Sequence, residues 1–118
     1  MKSKEYIKGT IKTIVLKLLS EQPKMYGYEI SQRAKELSGG EIELTYGALY
    51  PILYKLESDG SLITESEIVD GRVRKYYSLT KQGNATAKQK VAELDKFVDV
   101  IKSMMAPTPK ASLESWAF

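Results

Sequence analysis

The chain of 118 residues contains no cysteine and no histidine. This absence excludes disulfides, thiol nucleophiles, Cys/His zinc sites and imidazole acid–base catalysis. The remaining residues show no paired carboxylates, no phosphate-cradling glycine loop and no nucleophile elbow. We therefore predict that the protein is not an enzyme and that it needs no metal and no cofactor.

Long apolar runs are also absent, since no stretch approaches the roughly 20 residues that a membrane-spanning helix needs. Lys2 and Lys4 are not followed by the apolar segment of a signal peptide, so the cytoplasm is the expected location. The length predicts one domain with a small core. A net charge of only +3 says little by itself, and the distribution of charge along the chain is more informative.

Residues 45–60 form the most informative stretch. Its apolar residues fall at i, i+3, i+4 and i+7, on one face of a helix: Leu49, Ile52, Leu53 and Leu56. Thr45 is the predicted N-cap, and Gly60 is the predicted end, where a left-handed conformation terminates a helix. Pro51 leaves two alternatives: a bent helix, which the unbroken apolar spacing favours, and two short helices separated at the proline.

The opposite face of this helix carries aromatic hydroxyl groups and one cation, with almost no acid: Tyr46, Gly47, Tyr50, Tyr54 and Lys55. A solvated helix face normally mixes Lys and Glu. Tyrosines beside a lysine instead suit a surface that meets phosphates and base edges. We interpret the helix as a DNA recognition helix, with Tyr50, Tyr54 and Lys55 as groove contacts and Tyr46 near a phosphate.

Two further helices are predicted before this one. Residues 5–20 have the spacing of an amphipathic helix that faces the core, and Pro23 stops it. Residues 25–37 form the second helix, which the glycines at 39–40 end. Residues 41–44 alternate polar and apolar side chains and are either a brief strand or an extended link.

A β-hairpin is predicted after Gly60. Residues 62–69 and 73–79 are rich in β-branched and aromatic residues, and Asp70-Gly71 between them is a strong hairpin signal. Tyr77 and Leu79 are expected to face the core. Three helices followed by a hairpin is the order of a winged helix-turn-helix. The predicted fold class is therefore α+β, mainly α, with residues 1–80 as a DNA-binding domain.

The hairpin and the second helix supply the other predicted DNA contacts. Arg72, Arg74 and Lys75 lie at or near the tip of the wing and are expected to hold the flanking backbone or the minor groove. Tyr28 and Arg33 of the second helix are expected to reach the DNA backbone.

A long helix with an apolar seam is predicted over residues 81–105, with Thr80 as its N-cap. The seam steps by 4, 3, 4, 3 and 4 residues through Ala87, Val91, Leu94, Val98, Ile101 and Met105. Such a helix needs a partner, so we predict a homodimer held by Val91, Leu94, Val98, Ile101 and Met105. The alternative is that the seam folds back on its own domain. Residues 106–118 are read as a tail.

Three stretches in this order resemble the PadR family of winged-helix transcriptional regulators. Residues 25–30 resemble the family's helix-opening tyrosine–glycine motif. Residues 47–57, running on to Asp59 and Gly60, are similar to its recognition-helix signature, including the internal proline. Residues 71–80 resemble its arginine-rich hairpin.

The resemblance implies a homodimeric repressor that binds a palindromic operator in double-stranded DNA and has a single C-terminal helix. It also implies that the final helices of the dimer enclose a pocket for a small aromatic effector. The candidate pocket residues are Leu94, Phe97 and Val98, with Trp116 of the tail as a wall. The alternative function is a winged-helix module that has lost DNA binding and joins protein partners. The wing's three cations, with only Asp70 nearby, favour DNA.

Overall fold

The computed structural model of the protein describes residues 4–108. Its elements are, in chain order, α1 (Lys4–Ile7), α2 (Ile11–Glu21), β1 (Met25–Tyr26), α3 (Gly27–Leu37), α4 (Tyr46–Ser58), β2 (Leu62–Val69), β3 (Arg72–Leu79) and α5 (Lys81–Met105). The three strands form one antiparallel sheet in the order β1-β3-β2.

The core lies where α2, α3 and α4 meet beside the sheet. Its most deeply buried residues come from these four parts: Val15, Leu16, Ile30, Leu49, Leu53, Leu56, Leu62 and Tyr77. Burying an aliphatic or aromatic side chain of this size contributes about 1.5–3 kcal/mol relative to leaving it exposed. The predicted apolar face of residues 45–60 is confirmed, and it supplies the centre of the core.

The single helix predicted over residues 5–20 is wrong at its N-terminal end. The chain turns at residues 8–10, and the turn separates α1 from α2. The backbone N–H and the hydroxyl of Thr10 both donate to the carbonyl of Ile7, each at 2.8 Å. Gly9 is a poor helix former, which weakens the helix at this point, and the apolar spacing continues across the turn.

The second helix is confirmed as α3, and its end at the glycine pair is confirmed by φ angles of +63° at Gly39 and +86° at Gly40. Residues 41–44 form a link outside any strand or helix, so the strand alternative for this segment is wrong. A short strand lies instead at β1, where Met25 pairs with Tyr77 and Tyr26 pairs with Tyr76. Two residues are too few for a periodic pattern, so the sequence did not predict this strand.

The recognition helix predicted over residues 45–60 is confirmed as α4. It runs without interruption through Pro51, so the alternative of two short helices is wrong. The hydroxyl of Thr45 accepts from the backbone N–H of Ala48 at 3.3 Å, as an N-cap does. Gly60, with φ +85°, follows the helix end in the predicted left-handed conformation.

The predicted hairpin is confirmed by the full register of β2 against β3, from Leu62 opposite Leu79 to Val69 opposite Arg72. Asp70 and Gly71 have φ angles of +51° and +74°. Two consecutive positive φ values are the pattern of the tight turn that matches the twist of a hairpin. Tyr77 and Leu79 pack on the core as predicted.

The long helix predicted over residues 81–105 is confirmed, and the hydroxyl of Thr80 caps it by accepting from the N–H of Gly83 at 3.0 Å. Its first half packs on α2 and buries Ala87. Its second half carries exposed apolar side chains: Phe97, Val98, Val100, Ile101, Met104 and Met105.

Within residues 4–108, no helix is long and apolar enough to cross a membrane. Trp116 and the rest of the predicted tail beyond residue 108 lie outside the described residues.

Gly83, near the start of α5, lies against the backbone of Ser61, the residue before β2. A Cβ at this residue would lie 2.0 Å from the carbonyl oxygen of Ser61, which already accepts from the N–H of Thr80 at 3.0 Å.

We expect Gly83→Ala to destabilise the fold by about 1–3 kcal/mol, because a bonded backbone carbonyl cannot move aside. Urea unfolding measures this loss. Gly9→Ala is the matched control, since a Cβ there meets nothing within 4 Å. Equal stability of the two variants would contradict this account of the packing.

Candidate DNA-binding surface

A row of three tyrosine rings lies along α4. Tyr46, Tyr50 and Tyr54 are spaced by four residues, so each ring lies one turn from the next. The ring centroids are 5.7 Å apart for Tyr46 and Tyr50, in an edge-on contact, and 5.9 Å apart for Tyr50 and Tyr54. The outer two side chains are half exposed, at 51% for Tyr46 and 54% for Tyr54. The row therefore presents aromatic surface and hydroxyl groups from the start of α4 toward the wing.

Tyr50, the middle ring, also holds α4 against the start of α3. A Cβ at Gly27 would lie 2.3 Å from the hydroxyl oxygen of Tyr50 and 2.8 Å from its Cζ. The residue packs against the core, and burial raises the pKa of its hydroxyl. Groove contact by Tyr50 stays a prediction, and the structure adds a packing role that sets where α4 lies.

The C-terminal end of α4 is joined to the wing through Glu57. Its two carboxylate oxygens accept from the hydroxyl of Thr64 at 3.1 Å and from Nζ of Lys75 at 3.3 Å. Nζ of Lys75 also lies 5.5 Å from the ring centroid of Tyr54. These contacts fix the wing relative to α4, while the side chain of Lys55 stays exposed to solvent.

The three predicted cations of the wing, the hairpin formed by β2 and β3, differ in whether an ion pair within the fold compensates their charge. Lys75 is ion-paired with Glu57. Arg72 is exposed, and neither it nor Arg74 has an ion-pair partner within residues 4–108. The guanidinium of Arg74 lies 4.6 Å from the ring centroid of Tyr26, a cation–π contact that orients the side chain. A side-chain hydrogen bond with Tyr76, together with the charge of Asp70, raises the pKa of Arg74, and no carboxylate forms an ion pair with it among residues 4–108. Arg72 and Arg74 are therefore better placed than Lys75 to bind phosphate.

Lys24 holds two carboxylates of β2 in an arrangement that we call the brace, and the sequence did not predict it. Nζ of Lys24 donates to Glu65 at 2.8 Å and also to Glu67, and it lies 4.9 Å from the ring centroid of Tyr76. The hydrogen bonds that Lys24 donates to the two carboxylates raise its pKa well above the ordinary value. The brace offsets the two acids on β2 that would oppose DNA phosphates. Lys24 precedes Glu65 by 41 residues, so no local pattern predicts the pair.

The two predicted contacts on α3 are unequal. Tyr28 is 50% exposed and stacks on Tyr26 at a centroid distance of 6.1 Å, which places it beside the ring that holds Arg74. It therefore extends the aromatic surface of the wing base. Arg33 is exposed but pairs with Glu36 at 3.5 Å, so part of its charge is compensated within α3.

An apolar groove of about 500 Å³ lies away from this surface, between α2, the end of α3 and α5. Three of the predicted seam residues line it: Val91, Leu94 and Val98. Ile101 and Met105 lie further along α5 and are exposed, and Phe97 is exposed outside the groove. Of the candidate pocket residues, Leu94 and Val98 are thus brought together, Phe97 is not among the lining residues, and Trp116 lies beyond the described part of the chain.

Helices α3 and α4, with the braced hairpin beside them, define a winged helix-turn-helix protein. Residues 15–89 match the Transcriptional regulator PadR-like family, and the chain belongs to this family. The transcriptional regulator Rv3488 of Mycobacterium tuberculosis is 45% identical over 51 residues, which cover 43% of this chain and 48% of that protein.

Solved structures show the same fold. A transcriptional regulator from Clostridium thermocellum is 29% identical with a TM-score of 0.78, and the match covers 86% of this chain and 99% of that one. A PadR family transcription regulator from Clostridium difficile is 27% identical with a TM-score of 0.70, over 83% of this chain and 100% of that one. Regulators of this family are DNA-binding proteins without enzymatic activity, so the chain is a transcriptional regulator and not an enzyme.

The contact between Gly27 and Tyr50 generates a stability prediction. We expect Gly27→Ala to cost about 1–3 kcal/mol in the native background, because the new methyl group collides with the tyrosine ring. The cost should largely disappear in a Tyr50→Ala background, where the ring is absent. A double-mutant cycle by urea unfolding of the four proteins measures the coupling. Additive effects of the two substitutions would show that the Tyr50 ring does not collide with the methyl group added at position 27.

Proposed function

We propose that the protein is a sequence-specific DNA-binding repressor that acts as a homodimer on a palindromic operator. In this proposal α4 enters the major groove, with Tyr50, Tyr54 and Lys55 as groove contacts and Tyr46 near a phosphate. Arg72 and Arg74 hold the DNA backbone or minor groove beside it, with Tyr28 at the base of the wing and smaller contributions from Lys75 and Arg33.

The observation that carries the proposal is the charge pattern around α4. The tyrosine row contains no acid, and Glu57 at the C-terminal end of α4 is occupied by Thr64 and Lys75. Lys24 likewise occupies Glu65 and Glu67 of the wing. Glu57, Glu65 and Glu67 are thus paired within the fold, while Lys55 and Arg72 remain exposed, as do Asp70 and Glu43. A protein-binding module would not need this pairing, which favours a polyanionic partner.

Two substitutions should separate backbone binding from base reading. Arg72→Ala should weaken binding to operator and to random duplex by the same factor and reduce the slope of log K against log salt by about 1. Lys55→Ala should reduce the preference for operator over random duplex, by about 1–3 kcal/mol if it makes one base contact. Fluorescence anisotropy at several salt concentrations measures both.

Lys88→Ala is the control for that experiment, since Lys88 is an exposed cation on α5 outside the proposed surface. Its effect on both duplexes should be small. A loss of sequence preference in Arg72→Ala with none in Lys55→Ala would reverse the two roles. Effects no larger than that of Lys88→Ala would place the DNA elsewhere.

The homodimer is supported by the apolar surface of α5. The second half of this helix exposes six large apolar side chains next to an apolar groove, and a contiguous exposed apolar surface of this kind marks an interaction site. A second copy related by a two-fold axis would cover both surfaces at once, with Val91, Leu94, Val98, Ile101 and Met105 in the seam. The two recognition helices would then meet successive major-groove faces about 34 Å apart.

Ile101→Lys tests this interface without disturbing the core, because Ile101 is already exposed in the single chain. In a dimer the new charge would be buried twice and cost several kcal/mol, so light scattering should show monomer. Ser103→Lys is the matched control, since helical spacing places Ser103 on the opposite side of α5, and it should stay dimeric. A dimer in both variants would place the interface elsewhere.

A small aromatic effector is the further part of the proposal. A repressor needs two states that its signal distinguishes, and a ligand shifts them only by its differential affinity. The groove beside Leu94 and Val98 offers apolar walls for a flat compound close to the proposed seam. Phe97 and Trp116 remain candidate walls contributed by the second copy or by the tail.

A further inference from the structure

Four residues lie along the line of α4 that is farthest from the core, and none of them is charged. Spacings of 4, 3 and 4 residues place Gly47, Pro51, Tyr54 and Ser58 on this line, and all four are exposed. We call these residues the outer strip. The strip begins with glycine and proline, the two poorest helix formers, although a solvated position usually takes a good one.

The fold itself does not require glycine at position 47. A Cβ there would meet nothing within 4 Å, so no packing contact excludes a side chain. The positive-φ residues between Lys4 and Thr108 do not include Gly47, so its backbone conformation suits any residue. Pro51 is one turn further on and its ring pushes against the residue-47 carbonyl, but every residue type carries that carbonyl. Glycine therefore does not relieve this contact.

We propose that the outer strip is the contact surface of α4 with the floor of the major groove, and that the missing side chain at Gly47 lets the helix backbone approach the base edges. Base edges carry no net charge, and a thymine methyl group packs well on an apolar surface. An uncharged strip fits these base edges, and Lys55 at its flank is placed to read a neighbouring base. The inference rests on the proposed function and specifies which atoms of α4 lie deepest.

The test uses the full-length protein and an operator selected by it from a random duplex library. Gly47→Ala should bind this operator about tenfold more weakly, and Gly47→Gln more weakly still, because each added group holds the helix away from the bases. Their thermal midpoints should equal or exceed that of the native protein, since alanine and glutamine are better helix formers than glycine. Gly9→Ala is the control for operator affinity, with the same open surroundings, and should leave that affinity unchanged.

A second background removes the contribution of the proline. In Pro51→Ala the ring no longer meets the residue-47 carbonyl, so any folding role of Gly47 that depends on the proline is absent. The outer strip predicts that adding Gly47→Ala to this background reduces operator affinity by the same factor as in the native background. A reduction that disappears in Pro51→Ala would assign Gly47 to the helix backbone and overturn the inference.

The outcomes separate the inference from the proposed function. Native protein that selects no duplex and shows no salt-dependent DNA binding overturns both. Native protein that binds its operator, with Gly47→Ala and Gly47→Gln binding equally well, overturns the outer strip alone. The same holds if both variants keep operator binding but lose binding to a protein partner, because the strip would then be a protein interface.

Discussion

The burial of one face of α4 is the constraint on which the rest of the structure depends. Leu49, Leu53 and Leu56 are at most 1% exposed and join α4 to α2, α3 and the sheet. Because this face is buried, the opposite face of α4 points into solvent. The unusual composition of that exposed face therefore indicates the kind of partner that it contacts. Thr45 and Gly60 then determine how much helix is presented, by capping its start and ending it.

Polar contacts at the edges of this surface fix the position of the wing relative to α4. Glu57 holds the wing to the end of α4, and Lys24 holds the base of the wing on its other side. Each exposed ion pair is worth little in stability, about 0–1 kcal/mol. Their larger effect is electrostatic, because they occupy carboxylates next to a surface that has to approach phosphate. The same residues therefore position the wing and determine the sign of the electrostatic potential at its surface.

Most of the fold was predictable because its signals are local. The apolar spacing of α4, its caps and the Asp70-Gly71 turn each depend on residues within one or two turns of one another. The break at Gly9 was not predicted because its local signal is weak. Strand β1 and the Lys24 brace were not predicted because their partners are distant in the sequence. Groove contact by Tyr50 stays a prediction, but no local pattern indicated its packing role. That the ring fills the space at Gly27, 23 positions earlier, follows only from the way α3 and α4 pack.

The central claim is that α4 lies in the major groove with the wing beside it, and site-directed DNA cleavage tests it most directly. Because the chain has no cysteine, single variants Glu43→Cys, Ile68→Cys and Lys88→Cys can each carry one iron chelate. These exposed positions lie before α4, near the wing tip and on α5. The account predicts cleavage within each operator half-site from position 43, flanking cleavage from position 68 and none from position 88. Cleavage from position 88 that exceeds that from position 43 would contradict it.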